Sequence, residues 1–254
     1  MHAKRIGIVG GMGPKTGIDL AHKIIKNTVA NTDQDYIPML LVSYPHQIED
    51  RTGFLQGKHH KNPAYTIYQL IRELESWGAH IIGIPCNTSH SAPIMNVISE
   101  QLIANHSSVV LVNMIEAVAE FILEHFPTTK KIGLLATLGT YQQAAYQNIF
   151  QQFGLEIIVP DSLMQQAIHQ AIYDAEYGIK SNLSANLDKT SQILHGACEH
   201  VVDLSAELVV LGCSEISLAL TESSYNATPL IDPTEVLARK LIQLAAHAKL
   251  KPYL

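Results

Sequence analysis

Two stretches decide the fold: Ile6-Gly7-Ile8-Val9-Gly10-Gly11-Met12-Gly13-Pro14 near the start, and Ile132-Gly133-Leu134-Leu135-Ala136-Thr137-Leu138-Gly139-Thr140 past the middle. Each is a short apolar run that breaks into a glycine-bearing loop and then into a segment of helical period. An uninterrupted apolar run of this length reads as a strand covered on both faces, which is the habit of a parallel sheet.

The same order continues outward from both stretches. Residues 4–9, 37–43, 81–84 and 109–112 read as strands. Helical segments separate them: one running to about residue 28, residues 62–77, one from about residue 89, and residues 114–125. In residues 62–77, Ile67, Leu70, Ile71, Leu74 and Trp77 recur at spacings of three and four, and Gly78 ends the helix. The second half repeats the scheme with strands at 131–135, 156–159, 207–211 and 229–231 and a last helix to about residue 247. Strands alternating with helices define the α/β class. Gly7-Ile8-Val9-Gly10 aligns with Gly133-Leu134-Leu135-Ala136, and Cys86 lies 127 positions before Cys213 in a chain of 254. A repeat of half the chain predicts two pseudo-symmetric α/β lobes, each a parallel sheet flanked by helices. We place the first lobe at 1–114 plus about 214–254 and the second at about 115–213.

Composition narrows the function. With 47% hydrophobic and 16% charged residues the chain can bury a substantial core, and a net charge of -6 without a basic run speaks against nucleic acid or an anionic membrane as partner. The absence of a long apolar stretch and of a signal-like start leads us to expect a cytoplasmic protein. Three cysteines are too few for a disulfide framework in a chain this long.

Cys86 and Cys213 each follow an apolar run, in Ile84-Pro85-Cys86-Asn87-Thr88 and Leu211-Gly212-Cys213-Ser214-Glu215. Read as strand ends opening into helices, these settings predict thiols of lowered pKa, with Asn87, Thr88, Ser214 and Glu215 available as caps or ligand donors. Cys198, inside a helical stretch, reads as packing. Two reactive thiols facing one ligand could form a redox disulfide, hold a metal, or act as acid and base on opposite faces of one carbon. There is no CxxC pair and no zinc-like Cys/His spacing, so the third option leads, with sulfurs roughly 6 to 7 Å apart. The loop at Met12 fits neither nucleotide pattern: Pro14 stands where a P-loop needs glycine, and Thr16 where the dinucleotide fingerprint does. Its amides could still hold a carboxylate. By residue type alone, Arg51 and Lys180 read as solvated surface charges, and the scattered histidines as no metal site.

The chain resembles the aspartate racemase branch of the aspartate/glutamate/hydantoin racemases. The resemblance rests on Gly7 to Pro14 as quoted, Asp50-Arg51-Thr52, Pro85-Cys86-Asn87-Thr88, Gly133 to Thr140, Gly178-Ile179-Lys180, Gly212-Cys213-Ser214-Glu215 and Pro229-Leu230-Ile231-Asp232-Pro233. It implies a cofactor-independent racemase acting on a small amino acid, with the active site in the cleft between the lobes, no metal, and a homodimer. It makes Cys86 and Cys213 the catalytic pair. It turns Arg51 and Lys180 into ligands for a side-chain carboxylate, and it places Met12, Asn87, Thr88, Thr137, Gly139, Thr140, Ser214 and Glu215 at the substrate. Lys15, Glu49, Ser214 and Gln143-Ala144 depart from the usual pattern. A glutamate or broad-specificity racemase, a dicarboxylate isomerase or decarboxylase, and a non-catalytic dicarboxylate-binding protein are the competing readings.

Overall fold

The computed structural model describes residues 3–181 and 188–253. Its strands, in chain order, are β1 (Ile6–Gly10), β2 (Met39–Ser43), β3 (Ile81–Gly83), β4 (Val110–Leu111), β5 (Lys131–Ala136), β6 (Glu156–Ile158), β7 (Leu208–Gly212), β8 (Ser224–Tyr225) and β9 (Thr228–Ile231). They form two sheets. One has the order β2-β1-β3-β4 with all pairs parallel, and the other β6-β5-β7-β9-β8, parallel except for the β8–β9 hairpin. The α/β class and the helix-flanked parallel sheets read from the sequence are present.

The chain divides into two compact units, Met1–Ala117 with Thr234–Leu254, and Val118–Pro233. The sequence put the return to the first lobe at about residue 214, whereas residues 214–233 stay with the second unit. The cause is β9, which pairs with β7 through Val209↔Leu230 and Val210↔Ile231. The final helix, Pro233–Ala246, and the segment after it cross back: Arg239 donates to Asn27 Oδ1 at 3.0 Å, the Ala245 carbonyl accepts from Lys4 N at 3.2 Å, and Lys251 N donates to the Asn27 carbonyl at 2.9 Å.

In both units the central strand ends beside a thiol. β1 and β3 pair through Ile8↔Gly83, and Cys86 follows β3 by three residues. β5 and β7 pair through Ala136↔Gly212, so Thr137 and Cys213 leave adjacent parallel strands together. In open α/β sheets this carboxyl edge is where ligands bind. The close packing behind it needs glycine. A Cβ on Gly7 would meet Ile82 Cδ1 at 2.6 Å, and one on Gly133 would meet Val201 Cγ2 at 2.7 Å.

Candidate active site

In the first unit Cys86 lies in extended backbone (φ -146°, ψ 104°) and opens a short 3-10 turn, Asn87–His90. Ser89 N donates to the Cys86 carbonyl at 3.1 Å, and Ser91 Oγ to the Thr88 carbonyl at 2.8 Å, which fixes the turn. The thiol is buried in an apolar cluster with Met12, Ile48, Ile84 and Ile94. Ser89 Oγ also donates to Met12 Sδ at 3.4 Å, tying the glycine loop to the cysteine turn. The helix Arg51–Leu55, capped by Asp50 Oδ2 accepting from Gly53 N at 2.6 Å, packs against that same turn. Arg51 is therefore 8% exposed and not the solvated charge its residue type suggests; its Nη1 donates to the Glu49 carbonyl at 3.2 Å. Met12, Arg51, Asn87 and Thr88 thus gather around Cys86.

His90 closes the turn and is fully buried. Its Nε2 donates to the Ile84 carbonyl at 3.1 Å, while Nδ1 has no hydrogen-bond partner among the described residues. Desolvation lowers its pKa to about 4 against one raising hydrogen bond, so the ring is neutral.

In the second unit Cys213 follows β7, and Ile216 N returns to its carbonyl at 2.9 Å, the same turn that Ser89 makes on Cys86. The helix expected there is only Ile216–Ala219. One turn of helix carries little macrodipole, and the lowered thiol pKa read from the sequence does not hold at Cys213. Burial first, then the carboxylate of Glu215, push that thiol well above its ordinary value; Lys180 opposes them. The Cys213 thiol donates to Glu215 Oε2 at 3.1 Å, and the Lys180 ammonium donates to Oε1 of the same carboxylate. Glu215 and Ser214 are buried, and Ser217 Oγ donates to the Ser214 carbonyl at 3.0 Å.

Lys180 is placed by the segment after helix Ser162–Tyr173. Its backbone N–H and that of Ile179 each donate at 3.0 Å, to the Ile172 and Ala171 carbonyls, and Nζ sits 5.4 Å from the Tyr173 ring centroid. Beside Cys213, Thr137 caps the helix Leu138–Gln142 by accepting from Thr140 N at 3.3 Å, with the two threonine hydroxyls 3.2 Å apart. Gly139, Thr140 and Ser214 are buried with it.

Tyr141 went unread in the sequence. Its hydroxyl donates to the Leu134 carbonyl at 3.0 Å and accepts from Ala136 N at 2.8 Å, locking the loop to the end of β5. No spacing announces it, because both partners are backbone atoms of an irregular turn. Cys198 packs in the core under β7, and burial pushes its thiol up to about 12. Among the described residues no group of three or more His, Cys, Asp or Glu could hold a metal ion, and no helix is long and apolar enough to cross a membrane.

Two sheets of mainly parallel strands, each with a strand that leads into a cysteine held by the same turn, define the class. A family model described as Asp/Glu/Hydantoin racemase matches residues 9–241, and the chain belongs to that family. It is 29% identical over 243 residues to the broad specificity amino-acid racemase RacX of Bacillus subtilis, covering 93% of this chain and 96% of that one. Among solved structures, the aspartate racemase of Picrophilus torridus is 27% identical with a TM-score of 0.74, covering 98% of this chain and 96% of its own. An aspartate racemase homologue from Pyrococcus horikoshii shares the fold with a TM-score of 0.69 at 24% identity, covering 96% of this chain and 99% of its own. The protein is an amino-acid racemase.

Proposed function

We propose that the protein racemises aspartate, L to D and back, by two-base proton transfer at the α-carbon, and that it does so without a pyridoxal-type cofactor. One cysteine acts as thiolate: its sulfur takes the α-proton as the Cα–H bond breaks and an S–H bond forms. The other, as thiol, gives its proton to the opposite face of the carbanion. Cys86 and Cys213 are the pair. The observation that carries this reading is that each stands at the same place in a repeated unit, three residues before a backbone N–H that returns to its own carbonyl.

The difficult step is building negative charge beside a carboxylate. The Met12 loop, Asn87, Thr88, Thr137, Gly139, Thr140 and Ser214 supply the donors that would meet that charge, which is where preorganised dipoles contribute most. Arg51 and Lys180 are the proposed partners of a side-chain carboxylate. We further propose that the enzyme is a cytoplasmic homodimer.

A second reading has its own support. Lys180 is already held by Glu215, so a substrate carboxylate must compete for it, and a neutral side chain need not. That favours a broad substrate range. Chiral analysis after incubation with L-aspartate, L-glutamate and a panel of neutral L-amino acids decides between them: D-aspartate alone supports the first, comparable turnover of neutral substrates supports the second, and no D-product from any overturns both.

A further inference from the structure

We propose that Glu215 is a positioning residue that keeps the proton on Cys213, making Cys213 the proton donor of the free enzyme, and that Lys180 sets how strongly it does so. The proposal rests on the two-thiol reading of the reaction. It starts from three side chains in one unit: the Cys213 thiol donates to Glu215 Oε2 at 3.1 Å, and Lys180 grips Oε1, with Cys213 5% and Glu215 4% exposed.

The direction of the proton follows from chemistry. An ordinary thiol has a pKa near 8.5 and an ordinary Glu near 4.3, so in a shared hydrogen bond the proton belongs to sulfur and the charge to oxygen. Ionising Cys213 would place a second anion about 3 Å from the first in a buried site, which is costly. The other groups facing Cys213 do not relieve this. Tyr141 and Tyr146 are phenols that burial holds neutral, and Asp232, which acts electrostatically on Tyr146, supplies no positive charge. Lys180 is the opposing cation, and its ammonium is shared with Glu215.

The consequence is an asymmetry between enantiomers. A carbanion protonated from the Cys213 side meets an enzyme that is ready: the S–H bond breaks, the carbanion lone pair forms the new Cα–H bond, and a thiolate remains on Cys213. Glu215 then favours recapture of a proton from water, balanced by loss of the proton that the other cysteine took from substrate. The reverse enantiomer needs Cys213 as thiolate, the form Glu215 disfavours.

The protonation of Cys213 can be read without any turnover. In protein labelled with [3-13C]cysteine, the Cβ resonance that disappears in Cys213→Ser is followed against pH in wild type, Glu215→Gln and Lys180→Met. Glu215→Gln should lower the titration midpoint by about one unit or more, a tenfold change in proton affinity, and Lys180→Met should raise it. Correspondingly, kcat and KM should each differ between the two enantiomers in wild type, their ratios cancelling because the enantiomers are equal in free energy, and the kcat ratio should move toward one in Glu215→Gln. An unchanged or raised midpoint in Glu215→Gln overturns the proposal; should that variant not fold, a midpoint in Lys180→Met that stays or falls does so. Wild-type protein that makes no D-amino acid while the midpoint shift is intact would count against the two-thiol reading alone.

Discussion

The two halves of the molecule share a backbone plan and differ in the charge around their thiols. The helix Ala64–Ser76 ends with Gly78 at φ +84°, and Ala79 N reaches back to the Leu74 carbonyl at 2.9 Å. The helix Asp188–Asp203 ends with Ser205 at φ +76°, and Ala206 N reaches back to the Val201 carbonyl at 3.0 Å. Leu74 and Ala79 wall in Gly7 as Val201 and Ala206 wall in Gly133. Packing this specific, repeated at offsets of 126 and 127, explains why strand, helix end and thiol recur together. Around Cys86 the turn carries a buried neutral histidine and an apolar cluster, with the helix of Arg51 packed against it, whereas around Cys213 it carries a carboxylate bonded to the thiol and an ammonium bonded to that carboxylate. A shared scaffold therefore surrounds its two thiols with different charges.

The largest effect expected is on chemistry. Cys86→Ala and Cys213→Ala should each lower racemisation by about a thousandfold or more, the range for losing a positioned acid or base, measured by chiral analysis of product. Equal losses support equal partnership despite the different surroundings; near-wild-type racemisation in either variant removes that cysteine from the reaction.

His90 makes the first half sensitive to acid. Its pKa is near 6.5 in the unfolded chain and about 4 in the folded one, so between those values the unfolded state binds more protons. The stability it contributes is present above pH 6.5 and lost as pH falls toward 4, on the order of 3 kcal/mol in all. Urea unfolding at pH 7 and pH 4.5 should show a smaller loss on acidification in His90→Gln than in wild type. An equal loss would contradict the buried neutral ring.

Much of this was legible in the sequence and some was not. The apolar runs, the offset of the two cysteines and the glycine loops were enough to read the α/β class and to pick out both thiols. The hairpin partner β8 was not visible: it is two residues long and turns through Asn226 and Ala227 at positive φ, where only Asn226 is a conventional turn signal. β4 is only Val110–Leu111, which pair with Ile81 and Ile82 of β3. The burial of Arg51 and the grip of Glu215 on Cys213 depend on which elements pack together, and periodicity carries no such information.

Smaller effects test the repeated packing itself. Gly7→Ala and Gly133→Ala should each destabilise by about 1 to 3 kcal/mol, the usual cost of overpacking a filled core, and by similar amounts if the two sites are equivalent. A harmless Gly133→Ala would break the parallel. The smallest change expected is a gain: Ser205→Gly relieves a left-handed backbone and should stabilise by about 1 kcal/mol. Gly78→Ser should do the reverse, since its Cβ would also meet Arg5 Nη1 at 2.8 Å. Thermal melts of the pair read both signs.

The proposal that two thiols work on opposite faces of one carbon is tested most directly in deuterated water, starting from L-aspartate and sampling at low conversion. Two bases require D-aspartate carrying deuterium at the α-carbon while the remaining L-aspartate keeps its protium. D-aspartate that retains substrate protium, or L-aspartate that gains deuterium as fast as the product forms, would contradict it.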